Sequence, residues 1–307
     1  MDTQERFLGC LLGLACGDAV GTTVEFKPRG SFTPLTDMVG GGPFNLEAGQ
    51  WTDDTSMALC LASSLLEQQG FDAPDQMARY CRWRSQGYWS SNGRCFDIGN
   101  TVSQALRRFE LSDNPVSGST AANSAGNGSI MRLAPIPMFY FSESLAVVEQ
   151  KAAASSVTTH GAVECVDACR LLANVLVRAL AGQSKESVLF GDSETFVGTE
   201  KIVAIAKGEY QHKSEAEIKG TGYVVASLEA ALWCFYQTDN FANAILLAAN
   251  LGDDADTTAA ICGQVAGAFY GESGIPAAWL TRITMREEIS QLAVGLYQQA
   301  IQKGEHE

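Results

Sequence analysis

Glycine recurs at every fourth position through the apolar start of this 307-residue chain, at Gly9, Gly13, Gly17 and Gly21. A step of four residues returns to nearly the same side of an α-helix, so these positions line up as a ridge without side chains. In an isolated helix each internal glycine costs about 1 kcal/mol relative to alanine. The pattern makes sense where the bare ridge lets a second backbone come close. Phe7, Leu11, Leu14 and Ala15 add an apolar stripe, and together the two features predict a central, tightly packed helix. The apolar run Leu8 to Val20 follows Asp2, Glu5 and Arg6, a start without the positive charge of a signal peptide. Its length and its glycines argue against a membrane span.

Helical periodicity dominates the rest. Further helices are expected at about 54–69, 75–86, 99–110, 142–157, 162–181, 198–208, 222–237, 240–250, 256–270 and 276–302. Between them lie turn-rich stretches: Gly30 to Gly49 with its Gly40-Gly41-Gly42-Pro43 run, Asn92 to Asn100, and Ser112 to Gly128. Strand-like alternation is nearly absent, and no repeat of solenoid length is visible. The expected fold is all-α, with loops converging on one face to build a site. With 46% apolar residues, 8 prolines and no linker-like segment, residues 1–307 read as a single compact domain.

The formal charge is 21 minus 35, or −14, with basic residues scattered. Generic binding to nucleic acid or an anionic membrane is therefore disfavoured, since both need a basic surface. An anionic ligand would have to find its positive charge in bound metal or in helix N-termini. The nine cysteines, an odd number without a CxxC pair, read as buried free thiols in a reducing compartment. A soluble cytoplasmic protein is expected, and nothing calls for an obligate interface, so a monomer is expected as well.

Two acidic clusters carry the chemistry. Thr52-Asp53-Asp54-Thr55 precedes the apolar run Met57 to Leu66, and Gly252-Asp253-Asp254-Ala255-Asp256-Thr257 precedes Ala259 to Tyr270. Oxygen-bearing side chains in that place commonly cap helices. One cap uses one residue, whereas here several carboxylates crowd each start and repel one another unless a cation or protonation relieves them. All the prospective ligands are hard oxygens without paired histidine or cysteine, which selects magnesium or manganese over zinc or copper. Two ions bridged by aspartate would polarise a bound water and anchor substrate oxygens.

At these residues the chain resembles the ADP-ribosylglycohydrolases, a family that includes the dinitrogenase-reductase-activating glycohydrolases and the ADP-ribosylarginine hydrolases. The resemblance rests on Gly13-Leu14-Ala15-Cys16-Gly17-Asp18-Ala19, Val24-Glu25-Phe26, Gly49-Gln50-Trp51-Thr52-Asp53-Asp54-Thr55, Asp97-Ile98-Gly99-Asn100-Thr101, Gly126-Asn127-Gly128-Ser129-Ile130-Met131-Arg132, Thr159-His160, Gly222-Tyr223-Val224 and the second acidic cluster. These segments keep family order from residue 7 to about 271, followed by C-terminal helices to about 302. The resemblance implies an all-α fold holding two magnesium or manganese ions. Carried over by position, the ligands are Thr52, Asp53, Asp54, Asp254, Asp256 and Thr257, with Asp253 left outside the ligand set. Glu25 and Asp97 are the implied acid–base carboxylates. Asn100, Gly126, Asn127, Gly128, Ser129, Met131, His160 and Tyr223 are the implied substrate-binding positions, and Met131 and Arg132 shape the glycine loop. The glycine loop would offer backbone N–H groups to a diphosphate.

The resulting expectation is hydrolysis of the glycosidic bond of ADP-ribose on a modified protein, first of all on arginine. A serine-linked conjugate, O-acetyl-ADP-ribose, a binding relative without turnover, and a phosphohydrolase that cuts the diphosphate are the other readings.

Overall fold

A computed structural model of the chain describes residues 1–304. In chain order its helices are α1 (Thr3–Gly21), α2 (Asp53–Glu67), α3 (Ala73–Gln86), α4 (Asn100–Ser112), α5 (Pro135–Phe139), α6 (Leu145–Ser156), α7 (Val163–Leu180), α8 (Lys185–Phe190), α9 (Glu200–Ala206), α10 (Val224–Gln237), α11 (Phe241–Asn250), α12 (Ala255–Tyr270), α13 (Ala277–Arg282) and α14 (Arg286–Gly304). Among the described residues there is no sheet, only isolated bridges such as Gly126 with Tyr223. The fold is all-α, as expected.

The glycine ridge determines the centre of the molecule. It faces α12, whose own facing stripe is Ala255, Ala259, Gly263 and Gly267. A Cβ added to Gly9, Gly13, Gly17 or Gly21 would lie 2.2, 2.3, 2.1 or 2.4 Å from the carbonyl oxygens of those four residues in reverse order. The relation is reciprocal: a Cβ on Gly263 or Gly267 would meet the Gly13 or Gly9 carbonyl at 2.1 or 1.9 Å. The two helices therefore touch backbone to backbone, which only glycine and alanine permit at such spacing. Helices α10, α11 and α14 pack around this pair, and one continuous apolar core runs through all of them.

Helix α1 proves longer than the apolar run that suggested it. By length and composition alone it would pass as a membrane span. Every residue from Gly9 to Gly21 is buried inside the fold, however, and its neighbours are other helices.

Two short helices, α5 and α8, escaped the periodicity reading because five or six residues, two of them prolines in α5, are too few to show a period. The single helix expected at 276–302 is in fact α13 and α14, separated at Ile283–Met285. The break has a cause. Thr284 donates its N–H to the Gly49 carbonyl (3.1 Å), and its own carbonyl accepts from Trp51 Nε1 (3.1 Å). Met285 turns the chain back at φ 57. These backbone groups are spent on holding the loop that leads into the first acidic cluster. All nine cysteines are free; Cys81 and Cys95 are half-buried and the others buried.

Candidate active site

The segment that follows α1, the starts of α2, α4 and α12, and the loop 126–131 meet around one cavity of about 780 Å³. Asp53, Asp254 and Thr257 give it an acidic side, residues 97–102 form one stretch of wall, and Gly126–Gly128, Met131 and His160 form another, which meets the first where a Cβ on Gly128 would lie 3.5 Å from Val102. Glu25, Phe26, Thr221, Gly222 and Asp253 complete the lining.

Neither acidic cluster caps its helix. Thr52 and Asp254 occupy the N-cap positions of α2 and α12, and neither side chain makes the capping bond. Likewise α4 begins after Gly99, so neither Asp97 nor Asn100 caps it. The Thr52 hydroxyl is encircled by Asp18 Oδ1 (2.9 Å), Asp256 Oδ2 (3.1 Å) and Asp54 Oδ2 (3.3 Å). Thr257 Oγ1 approaches the same Asp54 oxygen at 3.3 Å. A hydroxyl has one proton to give, so this knot holds more acceptors than donors.

The surplus is concentrated on buried atoms. Asp54 Oδ1 and Asp256 Oδ1 are buried without any hydrogen-bond partner. Carboxylate oxygens of Asp18, Asp54 and Asp256 lie within 4.8 Å of one another, and so do those of Glu25, Asp97 and Asp256. Asp256 belongs to both groups. No lysine or arginine pairs with any of these carboxylates among the described residues. A buried unpaired carboxylate costs several kcal/mol, roughly, unless it is protonated or meets a cation. Both groups are thus donor sets that could hold a hard divalent ion.

The electrostatics agree with that geometry. Burial first, then the neighbouring carboxylates, pushes Asp53, Asp54 and Asp256 well above the usual range. The same causes move Asp97 to about 7 and Glu25 to about 10. Burial raises Asp18 to about 6, against the pull of its bonds from Thr55 and Thr52. A carboxyl held above its unfolded value stabilises the fold fully below that value, near 3.8, and this contribution is lost as pH rises through about 6 for Asp18 and about 7 for Asp97. In chelator the protein is therefore expected to melt at lower temperature at pH 8 than at pH 5. Added magnesium or manganese should raise Tm more at pH 8. Equal metal-induced shifts at both values in thermal melts would contradict this account of the cluster.

Asp18 was not singled out by sequence, although it lies within one of the segments that carry the resemblance. It is fully buried on α1 beside the glycine ridge. Its Oδ1 accepts from the Thr52 N–H and hydroxyl, and its Oδ2 from the Thr55 N–H and hydroxyl, at 2.7–3.1 Å. Both oxygens are occupied, so Asp18 fixes the start of α2. The available signal was an aspartate inside an otherwise apolar helix, where a charge needs partners.

The other expected positions divide. Gly126, Gly128, Asn100, Met131 and His160 line the cavity. Asn127 does too, but its amide is engaged: Nδ2 donates to Asp254 Oδ2 (2.7 Å) and to Ser227 Oγ (3.1 Å), which orients the aspartate. Ser129 turns inward and accepts from the Ser156 hydroxyl at 3.0 Å. Tyr223 lies in an adjoining depression with Glu164 and Lys201, donating to Glu164 Oε2 (2.6 Å) and accepting from Lys201 (2.8 Å). The isolated bridge to Gly126 brings its backbone to the site, while its hydroxyl is held by Glu164 and Lys201. Burial lowers His160 to about 3, so the ring is neutral, with Nδ1 2.8 Å from the Thr159 hydroxyl. A Cβ on Gly128 would meet that ring at 2.7 Å, which explains the glycine. Arg132, fully buried, holds the loop through the Gly128 carbonyl. Asp253 is exposed, and its backbone at φ 55 exchanges bonds with Phe26 and Lys27.

A helical fold with a carboxylate-lined cavity at the meeting of helix N-termini defines a class, and the chain belongs to the ADP-ribosylglycohydrolase family, whose model matches residues 1–306. The match reaches beyond the segment 7–271 legible from motifs and takes in α13 and α14. The chain is 47% identical over 301 residues to the ADP-ribosylarginine hydrolase Tri1 of Pseudomonas putida, covering 98% of this chain and 80% of that protein. To the protein of the same name from Serratia proteamaculans it is 44% identical, covering 97% and 81%. A solved structure described as an ADP-ribosylglycohydrolase-related protein complex superposes with a TM-score of 0.87 at 41% identity, over 97% of this chain and 99% of that one.

Proposed function

We propose that this glycohydrolase cleaves the N-glycosidic bond between ADP-ribose and a protein arginine side chain, with two magnesium or manganese ions in the acidic cluster. The observation that carries the reading is Asp256, whose carboxylate joins both acidic groups and keeps one buried oxygen without a partner. The arginine linkage is supported by the two relatives that are ADP-ribosylarginine hydrolases.

Thr52, Asp53, Asp54, Asp254, Asp256 and Thr257 are the residues that would hold the ions. Once bound, the ions supply positive charge that fixes ribose hydroxyls and makes a water more acidic. The chain's own groups do the rest. Asn127 keeps Asp254 in place, and Asp18 anchors Thr52 and Thr55. Glu25 and Asp97, close to Asp256, handle protons: a carboxylate takes one from the water attacking the anomeric carbon, and the departing guanidine regains one. The acidic surroundings favour the positive character that develops on the ribose as the bond breaks. For the diphosphate, the start of α4 at Asn100–Val102 points its N-terminal end at the cavity. The N–H groups of Gly128 and Ser129, in the glycine loop that lines the same cavity, have no acceptor among the described residues. A net charge of −14 is no obstacle when the phosphates meet backbone donors and metal.

Product analysis tests the reading. Incubation with an ADP-ribosyl-arginine peptide and manganese is expected to release free ADP-ribose and the unmodified peptide. Release of AMP would assign the cut to the diphosphate, and ligand retained without product would make the protein a binder; either result overturns the proposal.

A further inference from the structure

Three phenylalanine rings stand together beside the two proton-handling carboxylates, outside the apolar core. Phe26 lines the cavity directly after Glu25 in the chain, and Phe96 directly precedes Asp97. Phe44 bridges them, its ring centroid 6.4 Å from that of Phe26 and 5.2 Å from that of Phe96. None of the three packs against the continuous core.

Phe26 is 66% exposed and sits at φ 63, a left-handed conformation that a bulky residue rarely adopts. Its backbone is pinned there, with the Phe26 N–H donating to the Asp253 carbonyl (2.8 Å) and the Asp253 N–H donating to the Lys27 carbonyl (2.8 Å). The ring is thus held in solvent at the edge of the site by the same backbone that places Glu25. Phe44 is placed by the turn at Gly40–Gly42, where all three glycines have positive φ and a Cβ on Gly42 would lie 2.2 Å from the Thr22 carbonyl. An exposed apolar ring such as that of Phe26 costs solubility unless it meets something, and the charges around it choose what. Glu25, Asp97 and Asp253 all line the same cavity. An aromatic face amid carboxyl groups suits a flat cation, which stacks on the ring while the carboxyl oxygens accept its N–H groups.

We infer that Phe26, backed by Phe44 and Phe96, is the surface on which the guanidinium of the modified arginine stacks, which makes Phe26 a specificity-determining residue for a cationic aglycone. The inference rests on the arginine reading above and adds the group that recognises the target side of the bond. The contact exists in the bound substrate as much as in the transition state, so its loss raises KM and leaves kcat nearly unchanged.

The test is steady-state kinetics of the full chain with manganese and an ADP-ribosyl-arginine peptide, comparing Phe26→Ala, Phe26→Leu and Phe26→Trp. All three replacements keep a Cβ at the same backbone angle on an exposed position, so the fold is expected to be retained. Phe26→Ala is expected to raise KM by roughly tenfold, with kcat within about twofold. Phe26→Leu, apolar but without a π face, should behave like alanine, and Phe26→Trp should keep KM at or below that of the parent. A parental KM in Phe26→Ala, or in Phe26→Leu, would overturn the inference while the arginine reading stands. If the parent protein itself fails to turn over the arginine conjugate, the arginine reading falls, and this inference with it.

Discussion

Gly17→Val is expected to destabilise the protein by several kcal/mol, roughly, and to lower Tm by about 10 °C or more. A single methyl at this position would already sit 2.1 Å from the Ala259 carbonyl oxygen and 2.5 Å from its carbon. Both atoms are backbone, so no rotamer change relieves the clash. Helix α1 would have to move off α12 along the whole ridge, and Asp18, the next residue, would lose its register with Thr52 and Thr55. Loss of stability should therefore be accompanied by loss of any bound metal. Gly99→Ala is the control, since a Cβ there meets open space at φ −66. Calorimetry that finds Gly17→Val melting like the parent would contradict the close helix pair.

The second large effect concerns chemistry, with the opposite sign for stability. Asp256→Asn is expected to reduce kcat/KM by about three orders of magnitude or more, because several kcal/mol of charge organisation depends on one carboxylate common to both acidic groups. In chelator at pH 8, however, the variant should melt above the parent. Asp256 is buried beside Glu25, Asp54, Asp254 and Asp97, and removing one charge relieves that repulsion. A variant merely damaged in its fold would lose both activity and stability. Retained activity in Asp256→Asn would contradict the assignment of Asp256.

These two residues also show what sequence could and could not convey. The ridge at Gly9, Gly13, Gly17 and Gly21 announced a close helix partner because a missing side chain is itself a geometric instruction. Its partner, the Ala255, Ala259, Gly263 and Gly267 stripe, is legible only once α12 is known to face it, since alanine is common in any helix. The crowding of Asp53, Asp54, Asp254 and Asp256 was visible as charge that capping could not use. Asp18 was missed because its role depends on donors 34 and 37 residues away. Tyr223 and Ser129 were placed near the cavity by position, but side-chain direction turned both elsewhere, toward Glu164 and Ser156. The break between α13 and α14 was hidden for a similar reason: Thr284 gives up helical bonding to hold Gly49 and Trp51, a contact no local pattern encodes.

The proposed chemistry depends on cation binding by the acidic knot at the junction of α1, α2 and α12. Calorimetric titration of manganese into chelator-stripped protein at pH 7.5, roughly, measures it without any substrate. Saturable binding of two ions per chain is expected, with the stoichiometry or affinity sharply reduced in Asp256→Asn. No binding to the parent protein, or identical isotherms for parent and variant, would contradict it.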